Sequence, residues 1–212
     1  MNTIIFDLDG TLLNTLGDLR DAVNNSLRLR ALPERSLEEV RCFVGNGIRK
    51  LMERALPEGS SEQEIDAALA DFKAYYAAHM TVNTVPYDGI PELLTELRRR
   101  GIRVGVLSNK IDSAAKELIE YYFAGKIDVV YGERAGIPRK PDPTSCRMLI
   151  KDLGAQPENV LYVGDSAVDM NTAHNAGLTA AAVTWGFRSR EELLANGANY
   201  LIDTPMQLLE LL

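Results

Sequence analysis

Cysteine is scarce in this chain: Cys42 and Cys146 are the only two among 212 residues. Two scattered thiols make neither a disulfide framework nor a zinc site, so both read as reduced. Histidine is equally thin. His79 and His174 have no partner at ligand spacing and are assigned structural roles. Cys42 has no histidine nearby in sequence and is not read as a nucleophile. No apolar run approaches the ~20 residues of a membrane-spanning helix. Met1-Asn2-Thr3 passes directly into a strand pattern with no signal peptide, so a cytoplasmic location is expected. Positive charge is also short, with 23 Lys and Arg against 30 Asp and Glu and a net charge of -7. That balance argues against nucleic acid or an anionic membrane as partner. The Tyr75-Tyr76 and Tyr121-Tyr122 pairs fit helix faces better than a base-stacking platform. Internal repeats and low-complexity tracts are absent.

With 46% apolar residues, the chain can bury a core of one large domain, or of a domain with a smaller inserted unit. The organising stretch is Ile4-Ile5-Phe6-Asp7-Leu8-Asp9-Gly10-Thr11. Its apolar run suits a strand covered on both faces, as in parallel sheets. It ends in two carboxylates one residue apart, at the strand end where open α/β sheets place ligands. Like charges this close need a cation, a proton or hydrogen bonds to offset them. A divalent metal is the simplest remedy, and an Asp-Gly turn is the plain structural alternative.

From about residue 15 to 82 the pattern is helical only. Asn14 or Thr15 caps a first helix carrying Leu16, Leu19, Val23 and Leu27 and ending before Pro33. A second carries Ile48, Leu51, Met52, Ala55 and Leu56. A third, capped by Ser60 or Ser61, carries Ile65, Leu69, Phe72, Tyr76 and Met80. A parallel crossover needs only a dozen or so residues, so this stretch reads as an inserted helical cap, residues 15–82. The α/β core is then residues 1–14 and 83–212.

Beyond Pro86, strands and helices alternate. Strands are expected at 103–107, 127–130, 160–163, 179–183 and 199–202, with helices at 91–100, 113–122, 143–153, 168–176 and 205–212. The expected fold is a Rossmann-like, doubly wound parallel sheet. Polar residues recur at its strand ends: Asp7 and Asp9, Ser108 and Asn109, and Asp165. In a parallel sheet these ends share one edge and converge on one cleft. Each has an ordinary explanation alone. Ser108-Asn109 could cap the next helix, Lys140 could be a solvated loop lysine, and Asp165 and Asp169 could be acids favoured at a helix N-terminus.

Taken together, Asp7-Leu8-Asp9-Gly10-Thr11, Ser108 after an apolar strand, Lys140 in Arg139-Lys140-Pro141-Asp142-Pro143, and Gly164-Asp165-Ser166-Ala167-Val168-Asp169 resemble the haloacid dehalogenase superfamily, in particular its phosphatases with a helical (C1) cap. Phe43-Val44-Gly45-Asn46-Gly47 and Trp185-Gly186-Phe187 are similar to phosphoglycolate phosphatases. The resemblance implies that Asp7 is the nucleophile and forms an aspartyl phosphate, and that Asp9 is the general acid and then the base. It implies Mg2+ held by Asp7, Asp165 and the main-chain carbonyl of Asp9, with Asp169 behind, reaching the metal through water or orienting Lys140. Ser108, the Asn109 amide and Lys140 would bind phosphoryl oxygens, and Thr11 would contribute there or support Asp9 by a hydrogen bond. Positive charge is a requirement, since a carboxylate approaching a phosphate meets about 4 kcal/mol of repulsion per pair of unit charges 4 Å apart at an effective dielectric of 20. The family's usual aspartate is replaced here by Asn14, which bears on local hinge geometry.

The glycines of Gly45-Asn46-Gly47 precede a helix whose first turn carries Arg49 and Lys50, and they could expose amides to a substrate carboxylate. A plain turn is the alternative. The expected activity is Mg-dependent hydrolysis of a small phosphorylated metabolite, 2-phosphoglycolate first, by a monomer or weak homodimer. The alternatives are a mutase of the β-phosphoglucomutase type, a phosphonoacetaldehyde-type hydrolase using Lys50, and a non-catalytic binding protein.

Overall fold

The computed structural model describes all 212 residues. They fall into two compact units, Met1–Leu13 with Pro86–Leu212, and Asn14–Val85.

The larger unit is built on six strands: β1 (Thr3–Phe6), β4 (Arg103–Ile111), β5 (Val129–Glu133), β6 (Val160–Gly164), β7 (Thr179–Val183) and β8 (Tyr200–Ile202). Their order is β5-β4-β1-β6-β7-β8, and every pairing is parallel. The expected doubly wound α/β fold is therefore present. All four residues of β1 are buried, as its Ile-Ile-Phe run requires of a strand flanked on both edges and covered on both faces. Phe6 stands opposite Val106 of β4 and Val163 of β6. Ser108 and Asp165 each follow their partner strand's residue by two, so Asp7, Ser108 and Asp165 leave the sheet at one edge. It lies where the chain order reverses about β1, the position at which open sheets bind ligands.

Helices α5 (Ile90–Arg99), α6 (Asp112–Phe123), α7 (Thr144–Asp152), α8 (Ala167–Ala176) and α9 (Arg190–Ala195) follow the strands. Strand β5 begins two residues later than the expected 127–130 and ends three later. Asp128 is spent on capping the edge, its Oδ2 accepting the Val104 amide at 2.8 Å, and β4 runs on to Ile111 through an irregularity that carries the pairing to Glu133. The expected terminal helix is a 3-10 segment, Pro205–Leu211. Helix α9 is absent from the periodicity because a single buried residue, Leu193, anchors it.

The smaller unit holds α1 (Leu16–Arg28), α2 (Leu37–Phe43), α3 (Ile48–Ala55) and α4 (Glu62–His79). The first helix packs chiefly on α4, and Ser26 Oγ donates to the Ala68 carbonyl at 2.9 Å. Ser61, rather than Ser60, caps α4, in a box with Glu64. At the first helix Thr15 is the cap residue and makes no side-chain cap bond; Asn14 Oδ1 accepts the Leu16 amide at 3.4 Å. Helix α2 is the unexpected element. Its capping box, Ser36 with Glu39, is written in the sequence, but only Val40 is buried. Short strands β2 (Leu13–Asn14) and β3 (Val85–Pro86) form a separate two-stranded sheet.

Asp18 closes the helical unit on itself. Its Oδ1 accepts the Asn83 amide at 2.8 Å and Asn83 Nδ2 at 3.0 Å, and its Oδ2 accepts the Thr84 amide at 2.9 Å and hydroxyl at 2.8 Å. Asp18 is buried, so its loss would strand buried donors at roughly 1–3 kcal/mol. Asp18→Ala is expected to lower the urea midpoint of unfolding by that order, while Asp21→Ala, at a half-exposed neighbour, has a smaller effect.

Candidate active site

Beyond Phe6 the chain turns sharply. The amides of Thr11, Leu12 and Leu13 all converge on the Leu8 carbonyl, and Gly10 takes φ 87, a region costly for a residue with a Cβ. The turn leaves Asp7 and Asp9, one residue apart, in different surroundings.

Asp7 Oδ1 lies 2.8 Å from Lys140 Nζ, and the same ammonium lies 2.8 Å from Asp169 Oδ1. The Lys140 backbone is held by Asn109, whose Oδ1 accepts the Lys140 amide at 2.9 Å and whose Nδ2 donates to its carbonyl at 3.2 Å. The Asn109 side chain is thus a brace for Lys140, beyond the amide role expected of this residue. The Lys140-Pro141 peptide bond is cis. Asp169 is completely buried and fully engaged. Its Oδ1 also accepts from Tyr162 Oη at 3.3 Å, and its Oδ2 accepts the Ser166 amide at 3.1 Å and hydroxyl at 2.6 Å, which caps α8.

Asp165 Oδ2 accepts the Phe187 amide at 2.7 Å. Backbone presses close around it. A Cβ on Gly10 would sit 2.2 Å from Asp165 Oδ2, and one on Gly186 would sit 2.3 Å from Asp165 Cβ and 2.5 Å from the Gly10 carbonyl oxygen. The 185–187 loop is further tied to the β1 turn by Trp185 Nε1, which donates to the Thr11 carbonyl at 3.1 Å. Thr11 itself departs from expectation. Its hydroxyl is buried and has no hydrogen-bond partner, so it does not support Asp9. The residue serves through its backbone carbonyl, because the turn aims its side chain inward.

Asp9 faces a cation that sequence reading does not supply. Lys110 Nζ donates to Asp9 Oδ1 at 2.9 Å and Oδ2 at 3.2 Å. Lys110 is itself buried. The only sequence signal for it is spacing: two residues beyond Ser108 in an extended segment, it can share a face with it. Ser108 Oγ accepts the Lys110 amide at 3.2 Å. Tyr162, under Asp169, and the Phe187 amide are likewise invisible without tertiary contact.

The cluster is over-supplied with negative charge. Burial, then Asp169, push the Asp7 carboxyl up to about 7 against the pull of Lys140. Burial, then Asp169 and Asp7, push Asp165 well above the carboxylate range. Lys140 is held well above the ordinary lysine value because Asp169 and Asp7 outweigh its burial. Asp7, Asp9, Asp165 and Asp169 carry four negative charges if ionised, against two positive charges on Lys110 and Lys140. A divalent cation matches the difference. Carboxylate oxygens of Asp7, Asp165 and Asp169 lie within 4.8 Å of one another, close enough to share one ion. Asp169 accepts on both oxygens, from Lys140, Tyr162 and Ser166, whereas Asp7 meets Lys140 through Oδ1 and Asp165 accepts the Phe187 amide through Oδ2. Carboxylates suit a hard cation such as Mg2+, which takes one or two of them.

Residues 4–183 match the haloacid dehalogenase-like hydrolases. The chain belongs to that family. This haloacid dehalogenase-like hydrolase is 34% identical to phosphoglycolate phosphatase 1 of Pseudomonas aeruginosa, over 97% of this chain and 78% of that protein. It is 31% identical to the N-acetylmuramic acid 6-phosphate phosphatase of the same organism, over 100% and 95%. Among solved structures it is similar to a candidate phosphoglycolate phosphatase from Lactobacillus delbrueckii subsp. bulgaricus, with a TM-score of 0.94, 34% identity, and 99% and 97% of the two chains covered.

In the helical unit, Gly45 and Gly47 take φ 122 and 82. The loop they bound is braced by Arg54, which donates to the Phe43 carbonyl at 2.7 Å and Asn46 Oδ1 at 2.8 Å. Arg49 is ion-paired with Glu53, Glu62 and Asp66, and Lys50 with Glu53.

A carboxyl raised from 3.8 toward 7 in the folded protein binds a proton that the unfolded chain has already lost. Folding stability of the metal-free protein is then greatest below about pH 4 as far as Asp7 is concerned, and falls as pH rises toward 7. Saturating Mg2+ is expected to flatten that fall. Thermal unfolding across this window, with chelator and with Mg2+, measures both.

Proposed function

We propose that this hydrolase is a Mg-dependent phosphatase acting through an aspartyl phosphate, with 2-phosphoglycolate as its foremost substrate. The observation that carries the reading is the buried cluster in which Lys140 bridges Asp7 to Asp169 while carboxylate oxygens of Asp7, Asp165 and Asp169 lie within 4.8 Å of one another. When bound by Asp7, Asp165 and the main-chain carbonyl of Asp9, Mg2+ supplies positive charge against the phosphoryl oxygens. Asp7 attacks phosphorus, and Lys140 draws the phosphoryl oxygens toward it and offsets their charge. Ser108 and the Asn109 amide orient those oxygens. Asp9 gives its proton to the departing oxygen and later takes one from the water that releases orthophosphate.

The relatives' names support a phosphate monoester as substrate and differ on which. The choice of 2-phosphoglycolate leans on the likeness to phosphoglycolate phosphatases and on the Gly45-Asn46-Gly47 loop, whose amides and Asn46 are proposed to read the substrate's carboxylate. With Arg49 and Lys50 in ion pairs, Arg54 is the cation that holds this loop.

Asp7→Asn is expected to cut kcat by at least ~10³-fold, as loss of a nucleophile does elsewhere, and chelation to silence the wild type. In a panel at equal concentrations with Mg2+, 2-phosphoglycolate should exceed N-acetylmuramic acid 6-phosphate and a hexose 1-phosphate in kcat/KM. A hexose 6-phosphate formed from the 1-phosphate would instead indicate a mutase. Asn46→Ala is expected to erode the preference for carboxylate-bearing substrates over their neutral analogues; an unchanged preference removes the loop from substrate reading.

A further inference from the structure

Lys110 stands outside the set of residues to which the phosphatase reading gives a task, yet it is a buried lysine with its ammonium on both oxygens of Asp9, at 2.9 and 3.2 Å. A buried ammonium is costly unless it is paired, and here the pair is with Asp9. We propose that Lys110 is a positioning residue that fixes the Asp9 carboxylate, through two hydrogen bonds, in the orientation from which it takes the proton of the hydrolytic water.

Three features favour this over a plain structural ion pair. The two lysines divide the cluster: Lys140 lies on Asp7 and Asp169, and Lys110 on Asp9. Asp9 is therefore tied to a cation of its own, off the carboxylates that face a metal. An ionised carboxyl has only acceptors, and with both oxygens on one ammonium its plane is set; a single contact would leave it free to turn. Lys110 is in turn fixed at its base, where Ser108 Oγ accepts its amide at 3.2 Å, so the aim of Asp9 is built from the same strand end as the phosphate-binding hydroxyl.

The step concerned is the second of the two. The water oxygen bonds to phosphorus as the bond from phosphorus to the Asp7 oxygen breaks and its electron pair returns to Asp7. The water proton passes to Asp9, and orthophosphate leaves. A mis-aimed Asp9 slows this step, whereas the first step needs no acid when the leaving group is a stable anion.

The inference rests on the phosphatase reading, and 2,4-dinitrophenyl phosphate with Mg2+ separates the two. For Lys110→Met, kcat is expected to fall at least ~10-fold, part of the 10²–10⁴ that positioned acid–base groups contribute, while kcat/KM, which reports phosphoryl transfer to Asp7, stays near wild type. Stopped flow should show a burst of one equivalent of dinitrophenolate ahead of the slow phase. Lys110→Arg guards against a folding defect: it keeps the charge, re-aims it, and should show the same split in smaller measure. Equal falls of kcat and kcat/KM without a burst, in either variant, overturn the positioning role. Wild-type protein that does not turn over the ester rejects the phosphatase reading and this inference with it.

Discussion

One ammonium between two carboxylates holds the site together. Lys140 arrives on a loop, from no strand or helix of its own, yet its nitrogen lies 2.8 Å from both Asp7 and Asp169. Buried charges persist only when paired and hydrogen-bonded, so each partner must be delivered accurately. Asp7 comes from the end of the central strand β1, Asp169 from the first turn of α8, and Asn109, at the end of β4, grips the lysine's own backbone. The ion pair couples three elements that the sheet brings to one edge. It also sets the site's charge problem, since Lys140 pairs with Asp7 and Asp169 while Asp165, whose carboxyl both of them push up, takes no part in the ion pair.

Asp7 and Asp9 are neighbours but one for one along the chain, and the structure drives their surroundings apart. Asp7 is enclosed, with a carboxyl pushed up by burial. Asp9 sits on the ammonium of Lys110. Placing two identical side chains in unlike environments is a general way to obtain two chemical roles from one residue type. Here the tight turn at Leu8 achieves it, because a regular strand would have placed the two side chains on the same face and, at this spacing, side by side.

The fold was largely legible because its signals are local. Alternating strands and helices after Pro86, the apolar β1, and the capping serines all speak through near neighbours in sequence. Where a helix rests on one buried residue, as α2 does on Val40 and α9 on Leu193, periodicity is silent. The acids at strand ends were legible for the same reason, since a carboxylate after an apolar run is conspicuous. What holds them was legible only in part: Asp169 on Lys140 was expected, and the other partners were not. Lys110 meets Asp9 across 101 residues, and the Phe187 amide meets Asp165 across 22. Thr11 shows the converse: a hydroxyl beside Asp9 and Gly10 invites a polar role, but the turn buries it and only the residue's backbone amide and carbonyl are used.

Asp165 differs from the other acids in being seated by backbone. The Phe187 amide fixes one oxygen, and Gly10 and Gly186 approach so closely that neither position has room for a Cβ. A seat made of main chain does not change when side chains are exchanged, although the charge on Asp165 still answers to Asp169 and Asp7 beside it. Relatives of 34% and 31% identity from a single organism carry the names of different phosphatases, so resemblance spread along the whole chain does not separate one substrate from another. Specificity on a shared fold resides in a few contacts with the part of the substrate that does not react.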